Sequence, residues 1–172
     1  TSFDIKFVFD KKDRGNIDKI LTWISDHSHS DNKVEIRFSD KVTKILSFSH
    51  DFKSFNLDFS KGIPKDNEFD IVFLVKKDED LVNNLKNNNF KEDELKAMEE
   101  NYKPGYLTLG YFYLRIKEEK YEIVLDFWAA AFALWYAFMA SKTTRNLFIE
   151  FCKKFNPKKG YIELDSEEDE VF

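Results

Sequence analysis

The sequence is poor in cysteine, proline and glycine, with one, three and five residues among 172. A single cysteine excludes an intramolecular disulfide and a paired-cysteine zinc site, and it is typical of a reducing compartment. The glycines are scattered, so no glycine-rich loop joins a strand to a helix, and nucleotide binding by such a loop has no support. Cys152 lies on the apolar side of a predicted helix, far from every histidine in sequence, which favours a structural thiol over a nucleophile.

The chain also lacks an excess of positive charge. Its 27 lysines and arginines against 32 aspartates and glutamates give a net charge of −5. Phosphate binding depends on clustered lysine and arginine, so nucleic acid and anionic membranes are disfavoured, and a basic protein surface suits the chain better as a partner. Acidity that serves only solubility is the alternative.

One uncharged run, FWAAAFALWYAFMA at 127–140, is shorter than the roughly 20 apolar residues of a membrane-spanning helix. Its apolar character on all sides predicts a helix buried deep in the fold. Alternatively, part of it forms one half of an interface, which would make the chain a self-associating structural protein such as a homodimer. Because Thr1 leads directly into a strand pattern, we expect no secretory signal peptide and a cytoplasmic protein.

Aromatic residues are abundant, with 19 Phe, 7 Tyr and 3 Trp, and they can supply a large core. Residues 3–9 alternate between apolar and polar types, which predicts a strand, and residues 17–24 follow helical spacing. Further strands are predicted at 34–38, 42–48, 55–59, 69–75, 106–116 and 121–125, with 161–164 as an edge strand. Two surface helices, or a flexible excursion, are predicted within 76–102, and a last helix begins at Ser141 or Thr143 and ends at Asn156.

This order of elements predicts one α+β domain over 1–172, with a mostly antiparallel sheet and helices packed on one face, including a buried C-terminal helix. It ends in a mobile acidic tail at about 165–172.

The three histidines give the best candidates for chemistry. His27 and His29 alternate, so in an extended segment they could share a metal ion, although a polar loop is the plainer interpretation. His50 precedes Asp51 and follows two serines, but no nucleophile-elbow pattern accompanies these residues. A small enzyme or metal-binding protein with a site near His27, His29 or His50 is therefore an alternative, and no cofactor is predicted.

Carboxylates are numerous, and those within 78–100 are typical of solvated helix faces. Asp126 is predicted to cap a helix beginning at Phe127. The tail is the remaining candidate, because a charged arm can be presented to a basic partner and speed association. The predicted partner-binding residues are Asp165, Glu167, Glu168, Asp169 and Glu170.

The last quarter to third of the chain resembles a known family. Three features carry the resemblance: FWAA at 127–130 after a hairpin, TRNLF at 144–148 opening a second helix, and Gly160 and Tyr161 before an acidic-aromatic end. This layout is similar to the C-terminal portion of small bacterial immunity proteins. These accompany polymorphic and contact-dependent toxins. The resemblance implies a cytoplasmic protein that binds and neutralises a cognate toxin domain without catalysis or cofactor, and it transfers no functional residue.

Overall fold

The computed structural model describes residues 3–27, 33–37, 43–47, 62–63, 67–71, 73–100, 104–108, 112–129, 132–164 and 167–171. Strands, one 3-10 helix and α-helices make up most of this described part. In chain order the elements are β1 (Phe3–Asp10), the 3-10 helix (Lys11–Asn16), α1 (Ile17–Asp26), β2 (Lys33–Arg37), β3 (Thr43–Ser47), β4 (Phe69–Ile71), β5 (Leu74–Lys76), α2 (Glu79–Asn87), α3 (Glu92–Glu100), β6 (Tyr106–Thr108), β7 (Phe112–Glu118), β8 (Glu122–Ala129), α4 (Phe132–Ala140), α5 (Lys142–Phe155), β9 (Lys159–Leu164) and β10 (Glu167–Val171).

A six-stranded sheet in the order β10-β9-β1-β8-β7-β4 forms the centre of the fold. Each neighbouring pair in it is antiparallel. Two smaller antiparallel pairs, β2 with β3 and β5 with β6, complete the described sheet structure. The predicted α+β class is confirmed, as are the hairpin of β2 and β3 and the two surface helices α2 and α3.

Helices cover one face of the sheet through an aromatic core. Phe7 in β1 lies with its ring centroid 4.7 Å from Phe151 and 6.0 Å from Phe148, both on α5. Trp23 of α1 packs 5.0 Å from Phe151, so both helices lie on the same side. Alternation in each strand sends one set of side chains to this face, as predicted for a half-covered sheet. The strand residues buried there include Ile5, Phe7, Phe9, Phe69, Ile71, Phe112, Leu114, Ile116, Ile123, Leu125, Phe127, Ala129 and Ile162.

Two segments predicted as single strands are each divided between sheets. The segment 69–75 contributes β4 to the large sheet and β5 to the small one, and 106–116 divides into β6 and β7 in the same way. The prediction was wrong because apolar residues continue through both segments, and alternation alone does not mark a change of sheet. The predicted strand at 55–59 lies outside the described residues.

The predicted helix over 127–140 is wrong in its first residues. Phe127 and Ala129 belong to β8, where they lie opposite Ile5 and Phe3 of β1, and α4 begins at Phe132. Asp126 is therefore a strand residue and not a helix cap. Because nearly every residue of 127–140 is apolar, the run shows neither the alternation of a strand nor the spacing of an amphipathic helix. The sequence therefore could not show where the strand ends and the helix begins. Burial on all sides is not observed either, since Ala137 is buried but Met139 is 45% exposed.

The C-terminal segment forms two strands of the sheet. The predicted edge strand 161–164 lies inside the sheet as part of β9, between β1 and β10. The acidic segment predicted as a mobile tail supplies the edge strand β10 at Glu167–Val171, with a register shift between Glu168 and Glu170. Charged residues and a bulge on an edge strand discourage pairing with further strands, which gives this composition a structural use.

The ends of α5 agree with the prediction. The Ser141 side chain accepts a hydrogen bond from the Thr144 amide, so Ser141 and not Thr143 is the N-cap. Asn156 ends the helix in the left-handed conformation with φ of 52°. In the described part of the chain, no helix has both the length and the apolar character needed to cross a membrane.

Candidate binding surface

The face of the six-stranded sheet opposite α1 and α5 carries polar, charged and aromatic side chains, and we call it the open face. Its residues alternate with the core residues of the same strands, and the pairing registers place them in rows. Its described members are Asp4, Lys6, Val8, Tyr113, Arg115, Lys117, Val124, Asp126, Trp128, Lys159, Tyr161 and Glu163.

Three carboxylate residues are direct cross-strand neighbours on this face. Asp4 of β1 lies opposite Glu163 of β9, and Glu163 lies opposite Glu168 of β10. We call these residues the acidic row. Lys6 donates a hydrogen bond of 3.0 Å to Glu163, whereas the Asp4 carboxylate has no hydrogen bond or ion pair within the described part of the chain. Like charges directly opposite each other destabilise a sheet, so the acidic row is unfavourable in the free protein.

The pKa of Asp4 reflects this position. Partial burial raises the pKa of this carboxyl above its ordinary value of 3.8, and the nearby charge of Asp126 raises it further, while Lys6 opposes both effects. A carboxylate in this state gains free energy from any cation brought close to it. The acidic row is therefore better suited to a positive ligand or partner than to solvent alone.

An aromatic pair continues the same row across the sheet. Trp128 lies opposite Asp4 on one side and Tyr113 on the other, and the Trp128 and Tyr113 rings stack at 4.4 Å with 25° between their planes. The Arg115 guanidinium lies 5.4 Å from the Trp128 ring and forms an ion pair with Glu68 at 3.6 Å. The indole Nε1 is buried and has no hydrogen-bond partner among the described residues.

Asp126 is the most buried charged group of the open face, with 4% of its surface exposed. Lys117 donates a hydrogen bond of 3.1 Å to its Oδ2, while Oδ1 is buried without a partner in the described part of the structure. Lys6 lies opposite Asp126 in β1 and Arg115 lies opposite it in β7. A buried carboxylate oxygen that lacks a donor is costly, which distinguishes this position from an ordinary surface aspartate.

The residues predicted to bind a partner are partly brought together. Four of the five lie on β10: Glu167, Glu168, Asp169 and Glu170. Glu168 is in the acidic row, and Glu170 lies opposite Ile162 of β9. The fifth, Asp165, lies outside the described residues. Asp4 and Glu163 were missed by the sequence analysis. The alternating pattern of β1 could have indicated that Asp4 faces outward, but only the strand order joins it to Glu163.

The predicted histidine sites are only partly described. His27 follows α1, where its Nδ1 lies 2.7 Å from the Trp23 carbonyl oxygen and its ring lies 4.2 Å from the Trp23 ring. His29 and His50 lie outside the described residues. Within the described ranges, no group of three or more His, Cys, Asp or Glu side chains is placed to hold a metal ion. Cys152 is half-buried, and burial raises the pKa of its thiol, which lowers its reactivity as a nucleophile.

Comparisons with known proteins add no relative. No family model matches the chain, no curated protein matches it, and no solved structure matches it. The fold and the open face define an α+β protein with one helix-covered and one polar sheet face, and the function has to be argued from these surfaces.

Proposed function

We propose that this protein binds a cognate toxin domain and neutralises it by a stoichiometric protein–protein interaction, with the open face as the contact surface. The observation that carries the proposal is the acidic row of Asp4, Glu163 and Glu168, next to a stacked aromatic pair. The partner surface is basic, of the kind that a toxin uses to bind phosphates or other anions.

Charge supports this choice of partner. The carboxylates of Asp4 and Glu163 repel one another in the free protein, and Lys6 forms its ion pair with Glu163. Lysine or arginine side chains of a partner would relieve this repulsion on binding, so they gain more at this row than at scattered surface carboxylates. The net charge of −5 on the whole chain would attract a basic partner at a distance and raise the association rate.

The aromatic pair supports a protein as the partner. Tryptophan, tyrosine and arginine are the residue types enriched among residues that dominate binding energy at protein interfaces. Tyr113 and Arg115 each contact Trp128 on the open face, beside the acidic row. An aromatic anchor beside a charged rim is the usual composition of such an interface. The sequence resemblance to toxin-immunity proteins, which includes residues of β8, α5 and β9, supports the same function.

The test is a binding and inhibition series with purified proteins. A partner is first identified by affinity capture from the native cells of this protein, with a toxin-producing neighbour strain present, and its toxin domain is then purified. We expect a one-to-one complex that abolishes toxin activity at equimolar concentration and weakens with added salt. Asp4→Asn and Glu163→Gln should each raise Kd about tenfold, equivalent to ~1.4 kcal/mol, mainly through a slower association rate.

The matched control is Asp93→Asn, which removes one negative charge from an exposed position on α3. It should change Kd less than twofold, because it lies outside the open face. Equal affinity of the Asp4 and Glu163 variants with the parent protein would contradict the assignment of the surface. A complex that forms without inhibiting the toxin would contradict the function. Point substitutions are preferred to deletion of the acidic segment, because β10 pairs with β9 and its removal would expose a new sheet edge.

A further inference from the structure

The open face brings one carboxylate directly beside an indole ring. Asp4 of β1 and Trp128 of β8 are cross-strand partners, so their Cβ atoms lie about 5 Å apart on the same face of the sheet. Both residues are partly exposed, so a side chain of another protein can reach them. A cation paired with the Asp4 carboxylate can therefore also lie within the roughly 6 Å over which an indole ring attracts positive charge.

The lysines near Asp4 are engaged elsewhere. Lys6, two residues along β1, donates to Glu163 at 3.0 Å, and Lys117 donates to Asp126 at 3.1 Å. Within the described ranges Asp4 is left with neither a hydrogen bond nor an ion pair. Its raised pKa agrees with this geometry, because partial burial and the charge of Asp126 outweigh the attraction of both lysines. The carboxylate is thus open to a cation from outside the chain.

On the other side of Trp128, the chain itself places a guanidinium against the same ring. The Arg115 guanidinium, from β7, lies 5.4 Å from the Trp128 ring and pairs with Glu68 at 3.6 Å. Carboxylate, guanidinium and indole therefore form a set of three on the β7 side of β8. On the β1 side, Trp128 and Asp4 supply the indole and the carboxylate of a second such set.

The chemistry of this pair favours a guanidinium over an ammonium group. A guanidinium is planar, so it can pack flat on an aromatic ring while its N–H groups donate in parallel to a carboxylate. It is also more weakly hydrated than the ammonium group of lysine, and it loses less when it enters a partly buried position. An ammonium group answers the charge of Asp4 but cannot use the ring in the same way.

We propose that Asp4 and Trp128 form a subsite for one arginine side chain of the basic partner, with the guanidinium paired to the Asp4 carboxylate and packed against the indole. The identity of the partner rests on the proposed toxin binding. The preference for arginine over lysine is a property of this chain alone, so it is tested without the toxin domain.

The test compares two probes of equal charge, Nα-acetylarginine amide and Nα-acetyllysine amide. Each is titrated at low salt into the isotopically labelled full chain, and the backbone amide and indole N–H shifts are followed by NMR. We expect saturable shifts around Asp4 and Trp128, with a dissociation constant at least about threefold smaller for the arginine probe. Asp4→Asn keeps the shape and removes the charge, and it should weaken binding of the arginine probe at least about threefold.

Two further variants separate the causes. Trp128→Leu removes the ring and leaves the carboxylate, so the two probes should then bind equally weakly. Its folding is checked first by circular dichroism, and Asp4→Asn decides the test if it does not fold. Asp93→Asn, at an exposed position on α3, removes the same charge elsewhere and should leave both affinities unchanged.

The results distinguish this subsite from the proposed function. Equal affinities of the parent chain for the two probes, or the absence of saturable shifts around Asp4 and Trp128, would overturn the subsite. An arginine affinity that is unchanged in Asp4→Asn would overturn it as well. These outcomes would leave toxin binding to its own inhibition series, where a complex that does not inhibit the toxin contradicts the function and not the preference for arginine.

Discussion

Asp78 is expected to be a specific point of weakness in the fold, because its carboxylate serves two helices. Its Oδ1 accepts from the Leu81 amide at 2.8 Å and caps α2. Its Oδ2 accepts from Ser141 Oγ at 2.6 Å and from the Thr143 amide at 3.2 Å, at the start of α5. One side chain therefore joins α2 to the helix that covers the sheet.

The change Asp78→Ala removes three hydrogen bonds at once. Loss of an N-cap costs about 1 kcal/mol, and the two bonds toward α5 add about 1 kcal/mol each after partial replacement by water. We expect the free energy of unfolding to fall by about 3 kcal/mol, which lowers the melting temperature by roughly 6–12 °C for a chain of this size. Asp78→Asn should lose about half as much, because asparagine can still cap α2.

Acid should reduce the effect of Asp78→Ala. Burial alone would raise the pKa of Asp78, but the hydrogen bonds from Ser141, Leu81 and Thr143 outweigh it and hold the pKa below the ordinary value of 3.8. A folded-state pKa below the unfolded one means that the contribution of this carboxylate is fully present above pH 3.8 and is lost as the pH falls through the lower folded value.

The assay is urea unfolding, followed by circular dichroism at neutral and at acid pH. The slope of the unfolding free energy against urea concentration must be the same for parent and variant, so that only stability differs. The control is Asp80→Ala, an exposed aspartate in the first turn of the same helix, which should cost less than about 0.5 kcal/mol. The reasoning is refuted if Asp78→Ala loses no more stability than Asp80→Ala at neutral pH. It is equally refuted if the difference between parent and Asp78→Ala is unchanged in acid.

Three further outcomes are expected. Asn67→Ala should lower the free energy of unfolding, measured by urea unfolding, by about 2–4 kcal/mol. The buried side-chain amide of Asn67 donates to the Ile116 carbonyl at 2.7 Å and accepts from the Ile116 backbone amide at 2.8 Å. A smaller loss than that of Asp80→Ala would contradict this. Asp4→Asn should stabilise the free protein by about 0.5 kcal/mol at neutral pH. Because the folded pKa of Asp4 is raised, this gain should decline as the pH falls through the folded pKa and vanish below the ordinary value of 3.8, and a gain that persists in acid would contradict the assigned cause. Alkylation of Cys152 by iodoacetamide at neutral pH should be at least tenfold slower in the folded than in the urea-unfolded protein, and equal rates would show that burial does not protect the thiol.

The spacing of apolar residues along the sequence predicted those elements that bury one face and expose the other. Alternation identified β1 and the hairpin of β2 and β3, and sparse apolar spacing identified α2 and α3, because each has one buried face. The same spacing could not distinguish a helix from a strand where nearly every residue is apolar. Phe127 and Ala129 read equally well as helix or strand, and the pairing of β8 with β1 decides for strand.

The acidic row could not be predicted for a different reason. Asp4 and Glu163 are distant in sequence, and they become neighbours only because β9 adds to the free side of β1. The acidic segment was recognised from its composition, but its place as the edge strand depends on the β9–β10 pairing.

The placement of unsatisfied polar atoms sets the open face apart from the rest of the fold. Asn67 is 6% exposed and makes hydrogen bonds in both directions to the backbone of Ile116, so this fold satisfies a buried amide where only structure is needed. In contrast, Asp126 Oδ1 and Trp128 Nε1 are buried without partners at the open face, within the part of the chain that the structure describes. Such atoms lower stability, so the open face is less stable than one built only to complete the fold. Asp4→Asn, which should stabilise the free protein on this face, should therefore weaken binding of the toxin domain, and a variant that gains stability without losing affinity would contradict this link.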